Sequence, residues 1–415
     1  MRTYGRARRF GPAALAILLG ISAWAETDAP PRNVILFIGD GMGFDHLRAA
    51  SYYATGGPEG LFIQSLPHRA AVRTWSASPT RTTDSAAAAT ALATGHSVVN
   101  GVIALEIPGT RGRLTSVTEY AMSEGRRTGV VTTDFITGAT PAGFSSHAYS
   151  RDLYTRIAEV MMSDVRPHFI AGLIAPDVQL RRSPTNRVTA SKFAAAGYTV
   201  ISNRTGLAAL AESPPERVAV LSTSPRDLFE YDARLAAARG KRDAYAIYPH
   251  LSEIVGAALT YLSASTNGFF LMVEGGLIDH AAHASQTERM ILETVELDRS
   301  VKLAADWARA RADTLIVVTA DHETGSLKVL KGNDTKGQWP DVKWGGNPWW
   351  YGGPAGSHSQ SPAPLYAWGV HSEAFSGRMK NTDLFAILTG HAPFPAAPDP
   401  EPHAPRDRAR GSMGD

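Results

Sequence analysis

The residues Thr82-Thr83-Asp84-Ser85 run straight into an alanine-rich block, Ala86 to Ala93, that closes on Thr94-Gly95. Alanine is the strongest helix former and a trailing glycine suits a left-handed C-cap, so the pattern predicts a helix ending at Gly95. Asp84 and Ser85 then fall at its first turn, where unpaired backbone N–H groups and the positive end of the helix dipole favour an anion. A serine hydroxyl at such a point is either a helix cap or a nucleophile directed at an anionic substrate. The rest of the chain decides between them.

Further fragments carry metal-binding chemistry. Residues 33–43 read as a buried strand with Asp40 at its carboxyl end and a glycine turn behind it. Residues 128–134 form a second strand ending on Asp134, which leads through Gly138-Ala139-Thr140-Pro141 to His147 and Arg151. A third strand, 268–276, ends on Glu274 and is followed at once by Asp279-His280-Ala281-Ala282-His283; a fourth, from Thr314, ends on Asp321 and His322. Gly356-Ser357-His358 precedes a last short apolar run, 364–369. Apolar runs that end on Asp, Glu or His fit a parallel α/β sheet, whose sites collect at the carboxyl edge. Asp279 and His283, spaced i and i+4, face one way on a helical turn and can grip a single ion. His280 points about 100° away on that geometry.

The ordered set resembles the alkaline phosphatase family. Its blocks are Asp-Gly-Met-Gly at 40–43, Thr-Asp-Ser-Ala-Ala-Ala-Ala-Thr at 83–90, Ala-Thr-Pro…His…Ser-Arg within 139–151, Val-Glu-Gly-Gly…Asp-His-x-x-His within 273–283, Thr-Ala-Asp-His at 319–322, and the late His358. The resemblance implies a three-layer α/β/α sandwich with a large, mostly parallel central sheet and the active site at the carboxyl ends of its strands. It implies hydrolysis of phosphate monoesters with Ser85 as the nucleophile, carrying a phosphoserine intermediate, and Arg151 as the phosphate clamp. It also implies that Asp279, His283 and His358 hold one zinc ion, and Asp40, Asp321 and His322 a second. Asp40, Thr140 and Glu274 would hold a magnesium ion. The donor types agree, since nitrogen and oxygen ligands suit zinc and an all-oxygen set suits magnesium. Two such zinc ions stabilise both the attacking and the leaving oxygen of an in-line phosphoryl displacement. Most of the family dimerises, which makes a homodimer the implied assembly.

Phosphodiesterases and sulfatases of the same superfamily are the competing enzymes, and a non-catalytic metal- or phosphate-binding protein is the competitor outside catalysis. Asp84-Ser85, Arg151, Thr140 and Glu274 together favour monoester hydrolysis. Three positions depart from the family pattern. Gly138 stands where bacterial members carry Asp and vertebrate-type members His, a side chain that steadies the magnesium waters, so a weakened third site is expected. His280 follows the vertebrate-type pattern where some bacterial members have Lys, and Thr82 replaces the usual Ile or Val. His147 reads as a core or supporting histidine. His46, His68, His96, His168, His250, His371, His391 and His403 match no motif.

Composition adds bounds. The 415 residues are enough for one large α/β domain. Met1 to Ala25 has a basic start, an apolar stretch and an Ala-Trp-Ala cleavage motif, which read as a secretory signal peptide. Its stretch is too short and glycine-broken for a membrane span. Removing its four arginines takes the net charge from +2 to −2, which gives no case for a nucleic-acid partner. The chain has no cysteine, so disulfides and thiolate metal sites are excluded. Expected location is the periplasm or outside the cell. Residues 26–391 are read as a single catalytic domain, elaborated at 152–267 and by an aromatic loop at 332–353, and 392–415 as a disordered tail.

Overall fold

In a computed structural model of the chain, the described residues are 30–174, 188–222, 228–241, 248–345 and 357–398. The strands, in chain order, begin with β1 (Asn33–Gly39), β2 (His68–Arg73), β3 (Arg127–Phe135) and β4 (Phe169–Leu173). Next come β5 (Thr199–Ile201), β6 (Val218–Ser222), β7 (Phe269–Gly275) and β8 (Thr314–Thr319). Short pieces follow, β9 (Glu323–Thr324), β10 (Lys328–Lys331), β11 (Asp341–Lys343) and β12 (His358–Ser359), and then β13 (Ala363–Gly369) and β14 (Gly377–Lys380). Ten of them make one sheet in the order β14-β2-β13-β8-β1-β7-β3-β4-β6-β5. Only β13 runs against its neighbours, β8 and β2.

The centre of the sheet is built from the most apolar runs of the sequence. Every residue of β1, β7 and β8 is buried, as expected for parallel strands covered on both faces. One group of helices, including Phe44–Thr55, Leu251–Leu262 and Thr287–Ala308, packs together on the sheet, and a second group, Ser85–Thr94, Val117–Ser123, Ala139–Ser145 and Asp383–Thr389, packs as another layer. This is the expected α/β sandwich. Register sets the site: Ile38 of β1 lies opposite both Glu274 of β7 and Thr319 of β8, and Thr132 of β3 lies opposite Glu274. Asp40, Glu274 and Asp321 therefore emerge at one edge.

The expected elaboration feeds the same sheet, since β4, β6 and β5 extend it beyond β3. Residues 392–398, assigned from the sequence to the tail, are instead fixed to the body. Arg113 and Ala397 exchange main-chain hydrogen bonds of 2.6 and 2.8 Å, and Phe394 packs on the core beside Phe385. Apolar Phe394 and the strand-like pairing outweigh the proline-rich composition there. In the described part of the aromatic loop, Trp339 stacks on Tyr53 at 4.1 Å and Trp344 donates to Thr287 Oγ1 at 3.1 Å. Trp349, Trp350 and Tyr351 lie outside the described residues, as does the segment read as a signal peptide. Among the described residues no helix is long and apolar enough to cross a membrane.

The helix Ser85–Thr94 forms as expected. Asp84 is its N-cap, accepting from Ala87 N–H at 3.0 Å, Gly95 closes it with φ 74°, and all ten helical residues are buried. Its alanines let the helix Ala139–Ser145 approach closely. A Cβ on Gly143 would lie 2.8 Å from Ala89 Cβ and 3.0 Å from the Ala89 carbonyl carbon. Gly143→Ala is therefore expected to destabilise the fold by about 1–3 kcal/mol through overpacking. At Gly256 a new Cβ would meet only Leu303 at ordinary contact, 3.7 Å, so Gly256→Ala should be neutral or stabilising. Denaturant midpoints of the two variants check the contrast.

Candidate active site

Ser85 is the first residue of its helix, almost fully buried, and its Oγ lies 3.2 Å from His322 Nε2. Asp84 does three things at once. Besides capping the helix, its Oδ2 accepts from Gly101 N–H at 2.9 Å and from Arg151 Nη1 at 3.2 Å. The Arg151 main chain is anchored in turn by a 2.7 Å bond from its N–H to the Gly101 carbonyl. The helix cap thus holds the guanidinium as well.

Two groups of expected ligands meet beside Ser85. In one, the donor atoms of Asp40, Asp321 and His322 all lie within 4.8 Å of one another. His322 Nε2 is 3.5 Å from Asp40 Oδ1 and 3.1 Å from Asp321 Oδ2. In the other, Asp279 Oδ2 lies 3.0 Å from His283 Nε2, on one helical turn as the spacing predicts, and His283 Nε2 lies 3.2 Å from His358 Nε2. His358 is carried on β12, which pairs with β9 directly after His322, so the rings of His322 and His358 stack at 3.5 Å. His322 sits between the groups, close enough to Asp279 and His358 to complete a cluster with them as well. Thr140 Oγ1 is 3.4 Å from Asp40 Oδ2, and Glu274 accepts from Thr132 Oγ1. All ten residues singled out from the sequence therefore lie at one sheet edge.

Several contributors carried no assigned role. Thr324 Oγ1 donates to Asp279 Oδ1 at 2.6 Å and lies 3.2 Å from His322 Nδ1, tying the two groups together. The Thr83 carbonyl lies 2.8 Å from His358 Nδ1, which fixes that ring. Such supports are conformational contacts between distant segments, and no local pattern announces them. His147 is a supporting histidine, as read: it is buried between the Ala104 carbonyl and Glu119 Oε1, at 2.9 and 3.0 Å.

The donor set fits cations. Asp40 Oδ1 and Asp321 Oδ2 are buried and accept no hydrogen bond, although a buried carboxylate oxygen ordinarily has a partner. Burial pushes the Asp40 carboxyl well above its usual range, and Asp321, Asp279 and Glu274 push it further. Burial, helped by Asp279, raises Asp321 to about 8, and burial with Asp134 raises Glu274 to about 7. Burial by itself would raise Asp279 also, but His283, His358 and His322 hold it well below the usual carboxylate range. Burial keeps His322 and His358 neutral, with free lone pairs. These are the protonation states that metal ions displace or use.

With this geometry the comparisons are specific. The alkaline phosphatase family model matches residues 31–175 and 182–348, and the chain belongs to that family. Similar relatives include the streptomycin-6-phosphate phosphatase of Streptomyces griseus, 31% identical over 91% of this chain and 95% of that one. Another is the alkaline phosphatase of Escherichia coli K12, 30% identical over 87% and 86%. Among solved structures, the alkaline phosphatase of the Antarctic bacterium TAB5 superposes with a TM-score of 0.70 at 25% identity, over 87% of this chain and 97% of that one. A variant of the TAB5 enzyme with glutamate in place of a histidine, with magnesium bound in its M3 site, superposes with a TM-score of 0.71. The matched family span stops before His358, which the fold nevertheless returns to the cluster.

The raised carboxyls set a pH dependence for the metal-free chain. Asp321 titrates at about 8 when folded but at about 3.9 when unfolded. Between those values the folded state binds the extra proton, so stability falls as pH rises. The chelated protein should melt lower at pH 8 than at pH 5.5, and added Zn²⁺ should reverse that order. Calorimetry at pH 7 in buffers of different ionisation enthalpy should also show proton release on metal binding.

Proposed function

We propose that this chain is an exported phosphomonoesterase that works through a phosphoserine on Ser85 and uses two zinc ions and one magnesium ion. The observation that carries the reading is the convergence of Ser85 Oγ, the Asp84-held Arg151 and the two acid–histidine groups at the end of one buried helix. Asp40, Asp321 and His322 would hold one zinc, Asp279, His283 and His358 the other, and Asp40, Thr140 and Glu274 the magnesium. When bound, these ions supply Lewis-acid charge for the oxygens that gain negative charge during displacement.

The chain's own residues do the rest. Asp84 engages Arg151 through one nitrogen, so the planar guanidinium can bind two oxygens of the substrate phosphate. The N-terminus of the helix Ser85–Thr94 faces the same anion with its unpaired N–H groups. Ser85 Oγ would form a bond to phosphorus while the ester P–O bond breaks, the proton lost from Oγ passing through water to the departing oxygen, which leaves as the alcohol. Water then breaks the Oγ–P bond, releasing phosphate and restoring the hydroxyl. Burial of Ser85 and rigid packing of its helix keep the attacking atom in place, which lowers the entropic part of the barrier.

Residues 1–25 support export to the periplasm or beyond. A homodimer follows the family habit, and no nucleic-acid partner is implied. The natural substrate belongs among phosphate monoesters. Because a relative aligned over nearly its whole length acts on streptomycin 6-phosphate, that compound belongs in the assay panel beside an aryl phosphate.

Ser85→Ala should keep the fold and zinc content and lose covalent labelling. After acid quench with labelled substrate, label is expected on Ser85 in the wild type; label on another residue, or faster hydrolysis of diesters than monoesters, would contradict the proposal. Arg151→Ala should lower kcat/KM by about 10²-fold or more, corresponding to about 2.7 kcal/mol of transition-state binding. Arg151→Lys should recover only part, since an ammonium lacks the bidentate fork.

A further inference from the structure

Gly138 was expected to leave the magnesium site short of a supporting side chain. The structure shows what fills that space. Gly138 has φ −57°, so no left-handed conformation calls for glycine there. A Cβ at this position would lie 2.9 Å from the Phe135 carbonyl oxygen and 3.0 Å from Asp134 Oδ2. The carboxylate of Asp134, at the end of β3, thus occupies the volume that a side chain on residue 138 would take.

The same carboxylate lies beside Glu274, one of the expected magnesium ligands. Gly276 separates the two acids: a Cβ on it would lie 2.8 Å from Asp134 Cβ and 3.3 Å from the Glu274 carboxyl carbon. Thr132 joins them from below, since its Oγ1 donates to Glu274 Oε2 and accepts from Asp134 N–H at 2.9 Å. On the other side His280 Nε2 lies 3.6 Å from Asp134 Oδ2, and the Asp134 side chain is only 17% exposed. Two glycines, a threonine and a histidine therefore fix one acid beside Glu274.

We propose that Asp134 is the positioning residue of the third metal site, its carboxylate supporting the water shell of the cation in place of the side chain absent at Gly138. The proposal rests on the reading of Asp40, Thr140 and Glu274 as that site's ligands. Its physical basis is simple. A hard divalent cation that keeps several waters is stabilised by fixed carboxylates hydrogen-bonded to those waters. Here the acid comes from four residues earlier in the chain. Gly138 is the compensating loss of bulk, and Gly138→Asp on its own would force a clash with the Phe135 carbonyl instead of tightening the site.

The test is Mg²⁺ titration calorimetry on zinc-loaded protein, with zinc content and melting temperature measured alongside. Asp134→Asn, nearly isosteric, should weaken Mg²⁺ binding by about 10–100-fold with zinc content unchanged. Asp134→Ala should weaken Mg²⁺ binding at least as much, with zinc content and melting temperature held, an outcome a merely structural Asp134 would not produce. Unchanged Mg²⁺ affinity in Asp134→Asn overturns the role of Asp134 alone. Absence of saturable Mg²⁺ binding in the wild type, or unchanged binding in Glu274→Gln, overturns the third site itself and the proposal with it.

Discussion

Everything at this site depends on the burial of like charge. Asp40, Glu274, Asp279 and Asp321 are all brought to one sheet edge and all but sealed from solvent. Carboxylates at such depth either take up protons or require cations, because solvent does not reach them to screen their mutual repulsion. Without cations, Asp40, Asp321 and Glu274 are driven toward the protonated form, while Asp279 is held ionised chiefly by His283. The fold tolerates this because β1, β7 and β8 are buried throughout and paired in fixed register. Strand register, not local preference, creates the repulsion, and bound cations would relieve it.

The Ser85 half of the site answers a different constraint. Ser85 sits at the N-terminus of a helix that packing fixes in place. That helix is short, made almost wholly of alanine and buried on every side, with Gly143 of the neighbouring helix packed against Ala89. Small side chains allow this depth. Asp84 joins the two demands, since one of its oxygens caps the helix and the other carries Arg151. Helix stability and the placing of Arg151 are therefore coupled through one carboxylate.

Much of this was legible in the sequence. Four apolar runs ending on acids predicted the central strands β1, β3, β7 and β8 and the edge at which their acids collect. The alanine block before Gly95 predicted the helix and its C-cap, while leaving open whether Ser85 capped its start; the cap is Asp84. The i, i+4 spacing of Asp279 and His283 predicted their meeting. What the sequence could not display were contacts made only by folding. Thr324 bridges Asp279 and His322, and the Thr83 carbonyl orients His358. Asp134 was visible at a strand end, but its relation to Gly138 emerges only when the turn between them folds back. Phe394 shows the opposite error: proline-rich composition pointed to disorder at 392–398, and the contacts of the Phe394 ring with Tyr120, Phe385 and His391, together with main-chain pairing to Arg113, fix that segment.

The central claim is that the buried acid–histidine groups are cation sites serving Ser85. Anomalous X-ray diffraction from zinc-loaded crystals, recorded on both sides of the zinc edge, tests it most directly. The account predicts two zinc peaks, one among Asp40, Asp321 and His322 and one among Asp279, His283 and His358, with Ser85 Oγ facing the first. Zinc bound elsewhere on the chain, with these side chains still paired only to one another, would contradict it.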